Sequence, residues 1–148
     1  MQLEIERKFL VRDDSWRSQA ESCRQIEQAY LAKSEDLSIR VRLVDDRSAM
    51  ITIKYGSTGI TRHEFEYPIP PEDAKLLMSR AVGSVIRKTR HHVRHNGALW
   101  EVDVFTGDNA GLVVAEIELE DETDAVDLPA WVGREVTGDA RFYTSSLT

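Results

Sequence analysis

From Leu3 to about Asp121, apolar and polar residues alternate with a period of two in one segment after another. Successive side chains of an extended chain point to opposite faces, so this alternation predicts half-buried strands. The first runs through Glu4-Ile5-Glu6-Arg7-Lys8-Phe9-Leu10-Val11: Glu4, Glu6 and Lys8 share one face, while Leu3, Ile5, Phe9 and Val11 supply apolar surface. Further strands are predicted at about Arg24 to Lys33, Leu37 to Asp45, Ala49 to Tyr55 and Ile60 to Ile69, punctuated by Asp45-Asp46 and Gly56-Ser57. A hairpin joins about Ser84 to Arg94 with about Leu99 to Phe105 through Asn96-Gly97, the pair that best tolerates the positive φ of a type I′ turn. An eighth strand follows at about Leu112 to Asp121.

Helical signals are few. Asp13-Asp14-Ser15 reads as a turn or N-cap before a short helix at Trp16. Pro70-Pro71-Glu72-Asp73 reads as the start of a helix that places Ala74, Leu77, Met78 and Ala81 on one face and stops near Gly83. The tail from Asp127 carries Pro129 and Trp131, with a short C-terminal helix expected around Ala140 to Leu147. Eight strands in near-unbroken succession predict an α+β, mainly antiparallel fold in one domain spanning 1–148, a meander able to close into an eight-stranded β-barrel with a few short helices outside and at one mouth.

The polar faces are not mixed, as on a solvated sheet; they separate by strand into basic and acidic sets. Arg40 and Arg42 share a face, Thr52 joins Lys54, and Lys88, Arg90 and His92 line one side of their strand. Against them stand Glu101 with Asp103, and Glu116, Glu118 and Glu120, while Arg62, Glu64 and Glu66 alternate with His63, Phe65 and Tyr67. Turned outward, these residues would be an ordinary polar exterior contributing little. Turned inward, the cations require an anion and the carboxylates a cation, because buried like charges without partners are costly. Such a lining suits a metal-bound polyphosphate: guanidinium groups give paired donors to phosphate oxygens, and carboxylates are hard ligands for Mg2+ or Mn2+.

Composition narrows the field. The chain has 148 residues, 41% hydrophobic and 30% charged, which is globular rather than disordered. Its net charge of −7, from 26 acidic and 19 basic residues, repels nucleic acid and anionic membrane as a whole-molecule field, so neither is expected as a partner. No apolar run approaches the ~20 residues that span a bilayer, and the basic-then-apolar layout of a secretion signal is missing; a soluble cytoplasmic protein is the expectation. The single Cys23 cannot form an internal disulfide. His91, His92 and His95 crowd a hairpin, but neighbours on a strand face opposite ways and no cysteine cluster accompanies them, so zinc is not expected. Trp16, Trp100 and Trp131 are read as packing on the barrel exterior, and Glu64 and Glu66 as holding Arg62 or nearby lysines in place.

Glu4-Ile5-Glu6-Arg7-Lys8 resembles the N-terminal ExExK signature of the CYTH superfamily, the triphosphate tunnel metalloenzymes. The similarity continues in order through Gln28-Ala29-Tyr30-Leu31, Arg40-Val41-Arg42, Thr52-Ile53-Lys54, Arg62-His63-Glu64-Phe65-Glu66, Lys88-Thr89-Arg90, Glu101-Val102-Asp103-Val104-Phe105 and Glu116-Ile117-Glu118. It implies a tunnel open at both ends that binds triphosphate with divalent metal. By resemblance, Lys8, Arg40, Arg42, Lys54, Lys88 and Arg90 grip the phosphates; Glu4, Glu6, Glu116 and Glu118, assisted by Asp103, hold one or two metal ions. Catalytic roles fall to Lys8, Lys88 and Tyr30, the last matching a tyrosine assigned as proton acceptor in short bacterial members. A phenol ordinarily titrates near ~10, so it serves as a base only where cations lower that value. Where those members close with an Arg-Tyr-x-Asn-like helix, this chain has Arg141-Phe142-Tyr143-Thr144.

The expected function is metal-dependent hydrolysis of inorganic triphosphate or a related triphosphate compound, on a small-molecule substrate, with a homodimer left open. The alternatives are a class IV-like adenylyl cyclase or a thiamine triphosphatase on the same tunnel, and a module that binds polyphosphate or nucleotide without catalysis.

Overall fold

The computed structural model describes residues 2–56 and 61–148; the expected turn residue Ser57 and strand start Ile60 lie outside them. Its strands are β1 (Gln2–Val11), β2 (Ala20–Lys33), β3 (Leu37–Val44), β4 (Ser48–Tyr55), β5 (Thr61–Ile69), β6 (Val82–His95), β7 (Ala98–Thr106), β8 (Val113–Glu118) and β9 (Val132–Glu135). Neighbours run β5-β4-β3-β2-β6-β7-β8-β1, all antiparallel, and β5 also pairs with β1, which closes eight strands into a barrel. The Asn96-Gly97 turn has φ of 50° and 81°, as a type I′ hairpin requires.

Closure is uneven, and the tail completes it. Among the described residues, β5 meets β1 over Gln2 to Ile5, and a β1 edge left unpaired beyond them would be a bare row of hydrogen-bonding groups. β9, which the alternation had not suggested, covers it with Phe9 opposite Glu135 and Val11 opposite Val132. Arg7 clasps Glu135 with two bonds of 2.8 and 2.7 Å, and the Val136 amide donates to the Lys8 carbonyl at 2.8 Å. At four residues, β9 is too short for its period to stand out.

The outer faces pack under two covers. Phe9, Trp16, Val93, Trp100, Val102, Ala115, Ile117 and Trp131 form the main core outside β6, β7, β8 and β1, so the three tryptophans do sit on the barrel exterior. The helix α1 (Pro71–Met78) lays Ala74, Leu77 and Met78 over Val41, Leu43 and Ala49. It ends at Met78 rather than near Gly83, because β6 already begins at Val82 and the intervening Ser79 to Ala81 form turns back onto the helix carbonyls.

Two further expectations change. Instead of one C-terminal helix, the tail forms two 3-10 turns, Ala140–Phe142 and Thr144–Leu147, strapped to the barrel by contacts such as Asn109 Nδ2 donating to the Leu147 carbonyl at 3.0 Å. Nor is the interior an open tube: at one end the inward positions become apolar, and Tyr30, Ile86, Phe105 and Val114 pack with Leu112 and Leu147 into a floor. Ile86 is in phase with Lys88, Phe105 with Asp103 and Val114 with Glu116, so the alternation that turns charge inward also turns this floor inward.

The main core should dominate stability. Trp100→Ala, at a side chain with no exposed surface, should cost ~3–5 kcal/mol in urea unfolding. Leu76→Ala, at an exposed position of α1, should stay within ~0.5 kcal/mol.

Candidate active site

Each strand of the barrel sends alternate side chains into a cavity of about 250 Å³. It is lined by Glu4, Glu6 and Lys8 of β1, Tyr30 of β2, Arg40 and Arg42 of β3, Lys54 of β4, Lys88 and Arg90 of β6, and Glu116 and Glu118 of β8. Ten of the eleven expected site residues other than Tyr30, and Tyr30 itself, therefore meet on one surface; Asp103 alone is not part of the lining. Residues assigned no phosphate, metal or catalytic role from the sequence also line it: Arg62, Glu64, Glu66 and Glu101, together with Ser38 and, from the tail, Thr137, Tyr143 and Thr144.

Asp103 lies beneath that surface, 1% exposed, and both its oxygens are taken. Lys88 Nζ reaches Oδ2 at 2.7 Å, while Arg90 donates from Nε to Oδ1 at 2.8 Å and from Nη2 to Oδ2 at 2.9 Å. Burial pushes this carboxyl upward, yet Arg90 and Lys88 overcome it and hold it far below the usual carboxylate range. Arg90 also reaches Glu101 at 3.3 Å. Lys88 pays the desolvation: burial first, with Arg90 and Arg42 adding to it against the pull of Asp103, brings its ammonium down to about 7.

The remaining cations divide by partner. Lys8 stands 3.7 Å from Glu116, and Lys54 reaches Glu4 at 3.1 Å and Glu64 at 3.6 Å, so of the expected partners, Arg62 or a nearby lysine, Glu64 holds the lysine. Among the described residues, Arg40, Arg42 and Arg62 have no carboxylate within ion-pair distance. Arg40 leaves a buried Nε without a hydrogen-bond partner. Among the described residues, Arg42 donates to the Gln28 amide oxygen alone, at 3.2 Å; burial, with Arg40 and Arg90 beside it, lowers its guanidinium to about 9. Guanidinium groups without a carboxylate partner on the wall of a cavity are chemically suited to an anion.

The acidic wall has the complementary excess. Register places Glu6 opposite Glu118 and Lys8 opposite Glu116 across β1 and β8, and Glu101 opposite Glu116 across β7 and β8. Burial, then Glu116, raises Glu6 to about 8, although its side chain keeps some solvent contact through the cavity. Glu4 is raised by burial and by its hydrogen bond with Glu64, and Glu118 by burial and by Glu4. Glu116 alone is lowered: burial opposes, but Lys8 and Arg90 prevail. Among the described residues, no three carboxylate, imidazole or thiol side chains converge as a ready-made metal cage. The donor chemistry nonetheless fits a hard divalent ion, since these are carboxylates whose mutual repulsion a cation would relieve.

The histidines are engaged elsewhere: His91 lies against the Trp16 ring at 4.8 Å between centroids, His92 meets Ser22 and Glu101, and His95 faces Asp127.

The CYTH domain profile matches residues 2–143. This chain belongs to the CYTH family. A curated CYTH relative from Acetivibrio thermocellus, named inorganic triphosphatase, is 45% identical over 97% of this chain and 92% of its own length. A second inorganic triphosphatase, from Nitrosomonas europaea, is 33% identical over 97% of this chain and 95% of its own. A crystal structure of an inorganic triphosphatase superposes with a TM-score of 0.71 at 30% identity, covering 97% of this chain and 96% of that one. Among the described residues, no helix is long and apolar enough to cross a membrane.

The electrostatics make two predictions. Asp103→Asn leaves Lys88 and Arg90 without their shared anion and should lower stability by ~3–5 kcal/mol in urea unfolding. The second concerns pH. Because Glu6 is raised from 4.5 to about 8 in the folded chain, the fold keeps a proton there that the unfolded chain has released. That contribution is fully present below pH 4.5 and is lost as pH climbs to about 8. In chelator, the wild-type Tm should fall across that window and Glu6→Gln should flatten the slope; equal slopes for the two proteins would contradict the assignment.

Proposed function

We propose that this chain is a metal-dependent phosphoanhydride hydrolase that cleaves inorganic triphosphate. The observation that carries the reading is the barrel interior itself: guanidinium groups without anionic partners face carboxylates in excess of their cations, inside one cavity. Two relatives spanning nearly the whole chain are named inorganic triphosphatase, which supports the same substrate.

Arg40 and Arg42 are the first phosphate donors, because binding an anion gives them the partner they lack. Lys8, Lys54, Lys88 and Arg90 add positive charge, each steadied by a carboxylate that fixes its position. Phosphoryl transfer demands alignment and charge neutralisation more than covalent participation, and a rigid ring of cations provides both. Asp103 orients Lys88 and Arg90 rather than reaching the metal, since its oxygens are already bonded.

Mg2+ or Mn2+ would be held by Glu6 and Glu118, with Glu4 and Glu116 joining as the phosphates draw Lys54 and Lys8 away from them. Bound there, the ion would supply charge neutralisation for the triphosphate oxygens and would acidify a water for attack. Tyr30 stands where the apolar floor meets the cationic wall, at a β-bulge between Tyr30 and Ala32 that re-aims the strand. It is the candidate proton acceptor among residues that touch the cavity.

Phosphate release from inorganic triphosphate should require divalent metal and stop in chelator. Glu118→Ala and Arg42→Ala should each lower turnover by ~10²-fold or more, the scale of losing an electrostatic contact to the transition state. Wild-type rates from either folded variant would reject the proposal, and cyclic AMP formed from ATP would favour the cyclase instead.

A further inference from the structure

Beyond the cations already assigned, Arg62 stands apart. It lies on β5 opposite Glu4 of β1, yet Glu4 bonds to Lys54 and leaves it alone. Among the described residues its guanidinium has a single close partner, the Tyr143 ring, 4.7 Å from the ring centroid. A planar cation stacked on an aromatic face is held in place with its in-plane donors still free. Free donors of that kind are what Arg40 and Arg42 also present, and all three groups line the same cavity.

The location is specific. Tyr143 belongs to the link between the two 3-10 turns of the tail, and its hydroxyl donates to the Gly138 carbonyl at 3.2 Å, which fixes the ring. Lys8 Nζ reaches the neighbouring Phe142 carbonyl at 3.2 Å, so the tail and the phosphate wall are in direct contact. On the far side of Arg62 and Tyr143 a second cavity of about 290 Å³ opens, sharing Ser38, Lys54, Arg62 and Tyr143 with the first. The two cavities meet at this stacked pair.

We infer that Arg62, positioned by Tyr143, forms an additional anion subsite at the tail-covered end of the barrel and binds the terminal phosphoryl group of the substrate. The inference rests on the triphosphatase reading and adds a residue to it. The carboxylates nearest in sequence, Glu64 and Glu66, do not neutralise Arg62, and a terminal phosphoryl group has the paired oxygens that a guanidinium fork recognises. Tyr143 is a positioning residue, since it acts through the cation.

The test separates binding from turnover. Arg62→Gln should raise the KM for inorganic triphosphate about tenfold, with kcat changed far less, and Arg62→Lys should recover part of the loss, because charge returns without the fork. Tyr143→Leu should raise KM in the same direction by a smaller factor, while Tyr143→Phe, which keeps the ring, should stay near wild type. Independently of hydrolysis, the rise in Tm caused by inorganic triphosphate in chelator should shrink in Arg62→Gln. A folded Arg62→Gln protein with wild-type KM and an undiminished Tm rise would overturn the inference. Wild-type protein that binds triphosphate through Arg62 but releases no phosphate with any divalent metal would instead overturn the hydrolase reading alone.

Discussion

The buried carboxylate of Asp103, gripped by Lys88 and Arg90, is the interaction on which the rest of the interior depends. Three cations, Arg42, Lys88 and Arg90, crowd one region, and burial first, then the repulsion of neighbouring cations, lowers Lys88 and Arg42. One anion beneath the surface makes that crowding tolerable and leaves the cavity side of the cluster positive. The remainder follows the same logic. Lys54 sits between Glu4 and Glu64, and Lys8 beside Glu116, so the positive and negative walls brace each other where they meet. Away from the junctions each wall keeps an excess of its own sign. A ligand that is both anion and metal complex relieves both.

A barrel suits this task because it has no free edges and its strands alternate strictly between inside and outside. Alternation lets a hydrophobic jacket of tryptophan, valine and phenylalanine stabilise the outer face of β6, β7, β8 and β1 while the same strands carry charge within. The stability needed to hold the charged lining therefore comes from residues that never touch the ligand. At the seam between β1 and β5 the tail also takes part, with β9 paired to β1; that places Thr137, Tyr143 and Thr144 against the cavity and couples closure of the fold to the shape of the site.

Much of this was legible in the chain. Period-two alternation located all eight barrel strands, because each was long enough for its phase to show. The Arg40-x-Arg42 and Glu116-x-Glu118 pairs announced charge on one face, and ordered similarity across strands indicated that this face was the interior. What alternation leaves open is register. Whether Asp103 meets a metal or a lysine, and whether Glu64 holds Arg62 or Lys54, depends on which residues stand opposite across neighbouring strands. Such pairings become visible only once the strands are laid side by side. The tail was harder still: β9 is four residues long, and the stretch after it closes as 3-10 turns whose geometry is dictated by the barrel beneath rather than by local propensity.

The central claim is that metal and triphosphate occupy one interior site with charge matched wall to wall. It is tested most directly by crystallography of the protein with Mn2+ and a non-hydrolysed triphosphate analogue, using anomalous scattering to locate the metal. The account predicts a manganese peak between the carboxylates of β1 and β8, with the phosphate chain running from it along Arg40 and Arg42. Triphosphate bound on the outer surface, or lying inside with no metal at those carboxylates, would contradict it.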